Sequence, residues 1–325
     1  MKYAKTHIAA STLVIAAILV AEPAYANGVP AGTVIENTAS ATYSDGGGAP
    51  QTVDSNTVTV QVDELLDVTV TSQDGSAVPI NSATAVLSFE ITNTGNGAEA
   101  YDLTANPAVT GNDFDVTIEG IAYDSNGNGV YDPGVDVLLA AGEATPELAA
   151  DASLTVFVIV SAPGGVADAQ TSQVELVAEA VTGTGSPGDT FAGLGTDGSD
   201  AVVGTTGANG QDAGALIASI ATLTLTKSAT ISDPFGGSEA VPGATITYTI
   251  VASVSGSGNI SDLRVTDATP TSTTYTAGSM TLDTVALTDA VDTDAGSADA
   301  AGIDVLIGNA NAGDTYTVSF DVTID

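Results

Sequence analysis

The side chains best spaced for chemistry in this sequence are oxygens. Asp124-Ser-Asn126-Gly-Asn128-Gly129-Val130-Tyr-Asp132-Pro-Gly-Val135-Asp136 sets Asp124, Asn126, Asn128 and Asp132 at loop positions 1, 3, 5 and 9. Gly129 stands at position 6, where the bend is tight, and the Val130 carbonyl is offered at position 7. A hard cation that takes about six to eight oxygens suits that pattern, so the loop is expected to hold structural Ca2+. Val135 occupies position 12, where such loops carry an acid, and Asp136 follows one residue later, which leaves the bidentate ligand open. A plain Asn/Gly hairpin turn is the competing reading.

Other chemistry is excluded by composition. Residues 1–26 read as a secretory signal: Lys2 and Lys5, an apolar run from Ile8 to Val20, then Ala24-Tyr25-Ala26 as a small-x-small cleavage site. That run is about 13 residues, short of the ~20 a spanning helix needs, so no membrane span is expected after cleavage. The signal carries the only histidine, His7, and two of the four basic residues. Of 40 acids only Glu22 lies within it, so 39 remain against Lys227 and Arg264, a formal charge of −37 with no cysteine or tryptophan. Imidazole-assisted nucleophiles, thiol chemistry and His/Cys zinc sites are thereby ruled out of the mature chain. Nucleic acid is excluded as a partner because phosphates need a basic surface. The acids sit mostly in turns at no spacing that suggests a paired-carboxylate hydrolase, and Gly193–Gly198 precedes neither a helix nor a Lys that would cradle phosphate. No enzyme is expected. Self-repulsion of this charge should be relieved by cations, calcium among them.

Two side chains remain to be placed. Lys227 reads first as a strand residue with a buried stem and a solvated head. Alternatively, its amine joins a neighbouring Asn or Asp in an isopeptide bond. Arg264 is expected to pair with Asp262 or Asp267.

The elements that must position these groups are strands. Thr245–Val251 and Thr315–Val322 alternate polar and apolar residues with period two, rich in Val, Ile, Thr and Tyr. Gly, Asn, Asp and Ser clusters separate such runs at the spacing of a sandwich. The fold class is therefore all-β: tandem Ig-like β-sandwiches with an N-terminal β-hairpin able to complete a C-terminal sandwich. The expected division is a signal peptide at 1–26, a hairpin at 27–64 and a first sandwich with the oxygen loop at 65–182. A Gly/Ser/Asp-rich connector with one last strand near Ala201–Val203 follows at 183–218. A second sandwich spans 219–325.

Thr222-Leu-Thr-Leu-Thr-Lys-Ser228, Val241-Pro-Gly-Ala-Thr-Ile-Thr-Tyr-Thr-Ile250 and Asp262-Leu-Arg-Val-Thr-Asp267 resemble the first strands of a conserved bacterial surface repeat, domain of unknown function eleven. Phe89-Glu-Ile-Thr-Asn-Thr-Gly95 resembles it more loosely. The resemblance implies Ig-like modules of secreted and cell-surface proteins, without enzymatic activity. The oxygen loop resembles the calcium loops of surface-adhesin B-repeats. Repeats of the first family close with a hairpin of the type Ile-x-Asn-Thr-Ala…Ser-Asn-Thr-Val-x-Val. Here Ala312–Asp325 has no such hairpin after it, whereas Ile35-Glu-Asn-Thr-Ala39 and Ser55-Asn-Thr-Val-Thr-Val60 stand at the start. The second sandwich is thus expected to lack its final hairpin.

A lone hairpin is marginal in water, and an unfinished sandwich exposes an edge. If one molecule's hairpin completes the next molecule's sandwich, a head-to-tail homopolymer results. The expected assembly residues are Val34, Ile35, Asn37, Ala39, Tyr43, Val58 and Val60 on the hairpin, and Val318, Phe320 and Val322 on the receiving side. Closure within one chain, packing on the first sandwich and a short final module are the alternatives. The functional expectation is a secreted structural subunit of a filament or surface layer, stabilised by calcium. A monomeric adhesin or glycan-binding module, with other surface proteins or glycans as partners, is the runner-up.

Overall fold

The computed structural model describes residues 28–44, 49–81 and 83–325; the expected signal at 1–26 lies outside them. The described chain is all-β. No helix in it is long and apolar enough to cross a membrane.

It opens as a two-stranded ribbon. β1 (Val34–Asn37) pairs antiparallel with β4 (Val58–Gln61), and β2 (Ser40–Tyr43) with β3 (Gln51–Asp54). Ile35 lies opposite Val60 and Asn37 opposite Val58, while Ala41 lies opposite Val53 and Tyr43 opposite Gln51. Between the two stretches the second arm carries one extra residue, with Ala39 and Ser55 bonded to each other across the step. Such a bulge keeps the side-chain phase of both arms aligned. One face of the ribbon is consequently mostly apolar, with Asn37 and Gln51 set among Ile35, Ala41, Tyr43, Val53, Val58 and Val60.

The first module is a two-layer sandwich. β5 (Glu64–Leu66), β6 (Val68–Ser72), β7 (Val78–Ile80), β8 (Thr84–Asn93), β9 (Tyr101–Asn106), β10 (Thr117–Tyr123), β11 (Val137–Leu138), β12 (Ser153–Ser161) and β13 (Thr171–Ala180) follow in order. β14 (Thr190–Phe191), β15 (Ala201–Val203) and β16 (Asn209–Ala218) complete it. One sheet runs β11-β10-β12-β8-β6 and the facing sheet β7-β16-β13-β9, with β14-β15-β5 as a small third sheet. Period-two burial along β8 sends Leu87, Phe89 and Ile91 inward, where Val156, Val158, Val174, Leu176 and Leu216 meet them. Residues 183–218 therefore differ from the expected connector. They supply three strands, and β16 pairs with β13 over nine positions. Its inward glycines allow that close fit: a Cβ on Gly210 would lie 3.0 Å from the Val68 carbonyl oxygen, and one on Gly214 3.0 Å from the Phe89 ring.

The second module holds β17 (Ala221–Ser232), β18 (Thr245–Gly256), β19 (Asn259–Ala268), β20 (Thr273–Tyr275), β21 (Thr281–Leu282), β22 (Val285–Ala286), β23 (Gly296–Asp299), β24 (Gly302–Asn311) and β25 (Thr315–Ile324). One sheet runs β17-β18-β25-β21-β22, with β20 also on β25; the other has only β19-β24-β23. Asp168 of the first module joins the two, accepting hydrogen bonds from the Ile220 N–H at 2.9 Å and the Ser257 hydroxyl at 2.6 Å.

Candidate functional site

The two modules share an order of strands. β6-β8-β12 in the first corresponds to β17-β18-β25 in the second, and β9 corresponds to β19. In the first module one edge of β9 carries β13, and β13 carries β16. The chain just before β12 bonds the other edge, Leu148 with Glu99 and Thr145 with Tyr101. β24, just before β25, takes that second position in the other module. Among the described residues nothing takes the place of β13 and β16.

Burial reports the consequence. Val68 and Val70 on β6 are 0% and 8% exposed under β16, whereas Leu223 and Leu225 on β17 are 37% and 55% exposed. The expected receiving residues Val318, Phe320 and Val322 are, by contrast, fully buried. β25 lies between β18 and β21 with its inner face already in the core, so the opening lies at β17 and the free edge of β19.

The expected donor residues all lie on the ribbon, and all are exposed. Val34, Ile35, Tyr43, Val58 and Val60 each show more than half of their surface, between 51% and 57%. Among the described residues the ribbon's strands pair only with each other. Its base is fastened to the first module by Asn96, a residue that sequence reasoning missed. The Asn96 side-chain amide donates to the Val29 and Asp63 carbonyls, each at 3.1 Å, and its oxygen accepts from Leu65 N–H at 2.6 Å. Isolated Asn in a turn carries no signal in the sequence that would single it out.

The floor of the cleft holds the lysine. The Lys227 ammonium of β17 contacts the Asp267 carboxylate of β19 and lies 4.2 Å from the centroid of the Tyr248 ring and 6.0 Å from that of Phe320. Its head is thus engaged across the two sheets rather than simply solvated, and its side chain is 41% exposed where the sandwich is open. Arg264 does not pair with Asp262 or Asp267. It lies on the outer face of β19 and donates to Asp304 on β24 at 2.6 Å, because neighbouring strands bring Arg264 beside Asp304 with both side chains outward.

The oxygen loop folds over the outside of β12, where Tyr131 stacks at 5.8 Å on the buried Phe157. Asp124 accepts from the N–H groups of Gly127 at 2.6 Å, Gly129 at 2.7 Å and Asn126 at 3.1 Å. These donors, Gly129 first, hold its carboxyl below the ordinary range. Asp132 accepts from the side-chain amides of Asn126 at 3.0 Å and Asn128 at 2.7 Å, so those three converge. The Asn128 oxygen accepts from Val130 N–H at 2.8 Å. Asp136 is buried and closes the loop, accepting from Asp132 N–H at 2.7 Å and Ser125 N–H at 3.1 Å. Among the described residues no three acidic side chains gather as a metal-holding group, so amides and backbone organise this loop.

No family model matches the chain, and no curated protein matches it. Solved structures resemble it in fold only. The C-terminal domain of the Streptococcus agalactiae AgI/II polypeptide BspA aligns at a TM-score of 0.33 and 9% identity, over 79% of this chain and 91% of that one. A Corynebacterium diphtheriae protein whose given name calls it membrane anchored aligns at a TM-score of 0.22 and 9% identity, over 90% and 89%. At these scores the likeness carries no argument about function.

Proposed function

We propose that this chain is a secreted structural subunit, not an enzyme, that assembles outside the cell into a filament or layer by β-strand complementation. The observation that carries the reading is the pairing of deficits within one molecule. Among the described residues the second module has a free β19 edge and an uncovered β17, and the same chain displays a ribbon with nothing on its apolar face. The first arm of the ribbon, 34–43, is as long as β19, 259–268. Donation of a strand supplies backbone bonds for affinity and alternate side chains for register. Because donor and receiver are different surfaces, each added subunit presents a fresh receiver, and growth is open-ended.

Calcium at the 124–136 loop is part of the same reading. There Asp132, Asn126 and Asn128 already converge, and the two amides need only turn their oxygens inward to ligate. The cation stiffens a module that has no disulfide and clamps Tyr131 over Phe157. In the adhesin alternative the contact point is Phe235, 88% exposed in the loop after β17.

Light scattering and negative-stain microscopy of residues 27–325 test the assembly. Filaments or a ladder of oligomers are expected, lost on removal of residues 27–63; a peptide of that segment should bind the truncated chain one to one without restoring filaments, and should cap the growth of the intact chain. A single chain at every concentration, with or without calcium, would sink the reading and favour the adhesin.

A further inference from the structure

Docking the ribbon has a chemical consequence at Lys227. The apolar face of the ribbon carries Ile35, Ala41, Tyr43, Val53, Val58 and Val60; its amides are Gln51, opposite Tyr43 at the far end, and Asn37, opposite Val58 between apolar neighbours. A buried amide without a partner is costly, so an Asn in the middle of a face destined for a core requires one there. In the first module, β13 runs antiparallel to β9, with inward residues opposite inward residues. The same arrangement, begun at the end of β19 and carried to its irregularity at Asp262, sets 34–39 along 263–268, with Ile35 opposite Asp267 and Asn37 opposite Val265. A one-residue slip would turn the apolar face outward, so only registers an even number of residues apart compete, and this one brings the ends of the two strands level. Asn37 then stands diagonally beside Asp267 on the inner face, within reach of a long side chain. The long side chain already there is Lys227.

Resting on the complementation reading, we propose that Lys227 and Asp267 of one subunit and Asn37 of the next form a covalent cross-link, an amide between Lys227 Nζ and Asn37 Cγ. The arrangement supplies each requirement. Lys227 is the only lysine beyond the expected signal, it faces aromatic rings, and its ammonium already touches a carboxylate of the opposite sheet. The ribbon excludes water from this pair as it docks. Desolvation disfavours two separate charges, so the proton passes from the ammonium to Asp267, leaving a neutral amine beside a carboxylic acid. The amine attacks Cγ of Asn37, forming the new C–N bond. Asp267 returns its proton to the departing amide nitrogen, the old C–N bond breaks, and ammonia leaves. The attacking nitrogen gives up its second proton, through the Asp267 carboxylate, to the ammonia; the products are one secondary amide and one ammonium ion, with Asp267 again a carboxylate. The bond forms once per junction, and no oxidant or cofactor takes part.

Assembled residues 27–325 are boiled in detergent, run on a denaturing gel and digested for mass spectrometry. The expected result is a ladder that survives boiling and a linked peptide pair containing Lys227 and Asn37, lighter by one ammonia than the sum of its parts. Asn37→Ala, Lys227→Arg and Asp267→Ala should each still give assemblies by microscopy, yet boil to single chains. Asn37→Ala alters only an exposed ribbon position, so its folding is not in question. Wild-type filaments that boil wholly to single chains overturn the cross-link and leave the complementation reading standing. A protein that is monomeric before and after boiling, at its full mass, overturns both. A monomer lighter by one ammonia overturns the inter-subunit link, and a Lys227–Asp267 peptide lighter by one water overturns the role given to Asn37.

Discussion

Two sandwiches in one chain solve the same packing problem to different extents. In the first, β13 and β16 follow β12 and return over β6, and Val68 and Val70 disappear from the surface. In the second, β25 stands where β12 stands, β17 has nothing over it, and Leu223 and Leu225 face water. Both modules have buried centres, so the difference is not one of foldability. Ile250, Val318 and Phe320 pack as completely as Leu87 and Phe89 do. The difference is confined to one edge, and the proposed assembly therefore puts its contact there.

The comparison can be broken with paired truncations. Leu87→Ala in the finished core should destabilise the first module by about 2–5 kcal/mol, read as loss of its unfolding transition. Leu225→Ala on the open face should cost the single chain well under about 1 kcal/mol, since little burial is lost, yet it should weaken assembly. Equal costs at the two sites in the single chain would mean that β17 is already covered in solution.

Calcium sharpens the contrast from the other side, because only the first module has the loop. Scanning calorimetry with free calcium at a hundredfold excess over its dissociation constant should raise the first transition by ~2.7 kcal/mol of stability and leave the second alone. Asp132→Ala should abolish the response. Both transitions moving together, or neither, would deny the loop its assigned role.

Acid should loosen the joint between the modules. The Ser257 hydroxyl first, and then the Ile220 N–H, hold the half-buried Asp168 carboxyl below its ordinary 3.8. Its contribution is thus present above that value and is lost as pH falls through the lower folded value. Asp168→Asn should make the joint insensitive over that window, measured by small-angle scattering of the single chain.

Much of this was legible in the sequence because burial imposes a period. β8, β18 and β25 show the alternation, and the ribbon's two arms were readable in the same way; the Gly-rich turn between them lies outside the described residues. β16 was not legible. Asn-Gly-Gln-Asp-Ala-Gly has no branched residue, since its inner face must lie within van der Waals contact of β6 and β8, and the small residues that permit this look like linker. The open face was placed on the wrong strand for a related reason. Period two shows which face of β25 turns inward, and it does not show whether β24 has already covered it. Asp267 was assigned to Arg264 rather than to Lys227 because its partner comes from the facing sheet, a contact that no spacing along the chain announces.

Amide hydrogen exchange, compared between single chains and assemblies, tests the central claim most directly. The account predicts that amides of Asn259–Ala268 and of Val34–Tyr43 slow together on assembly, as two edges become one ladder, while those of β6 and β16 do not change. Protection of β19 already present in the single chain, or assembly in which the ribbon slows and β19 stays fast, would contradict it.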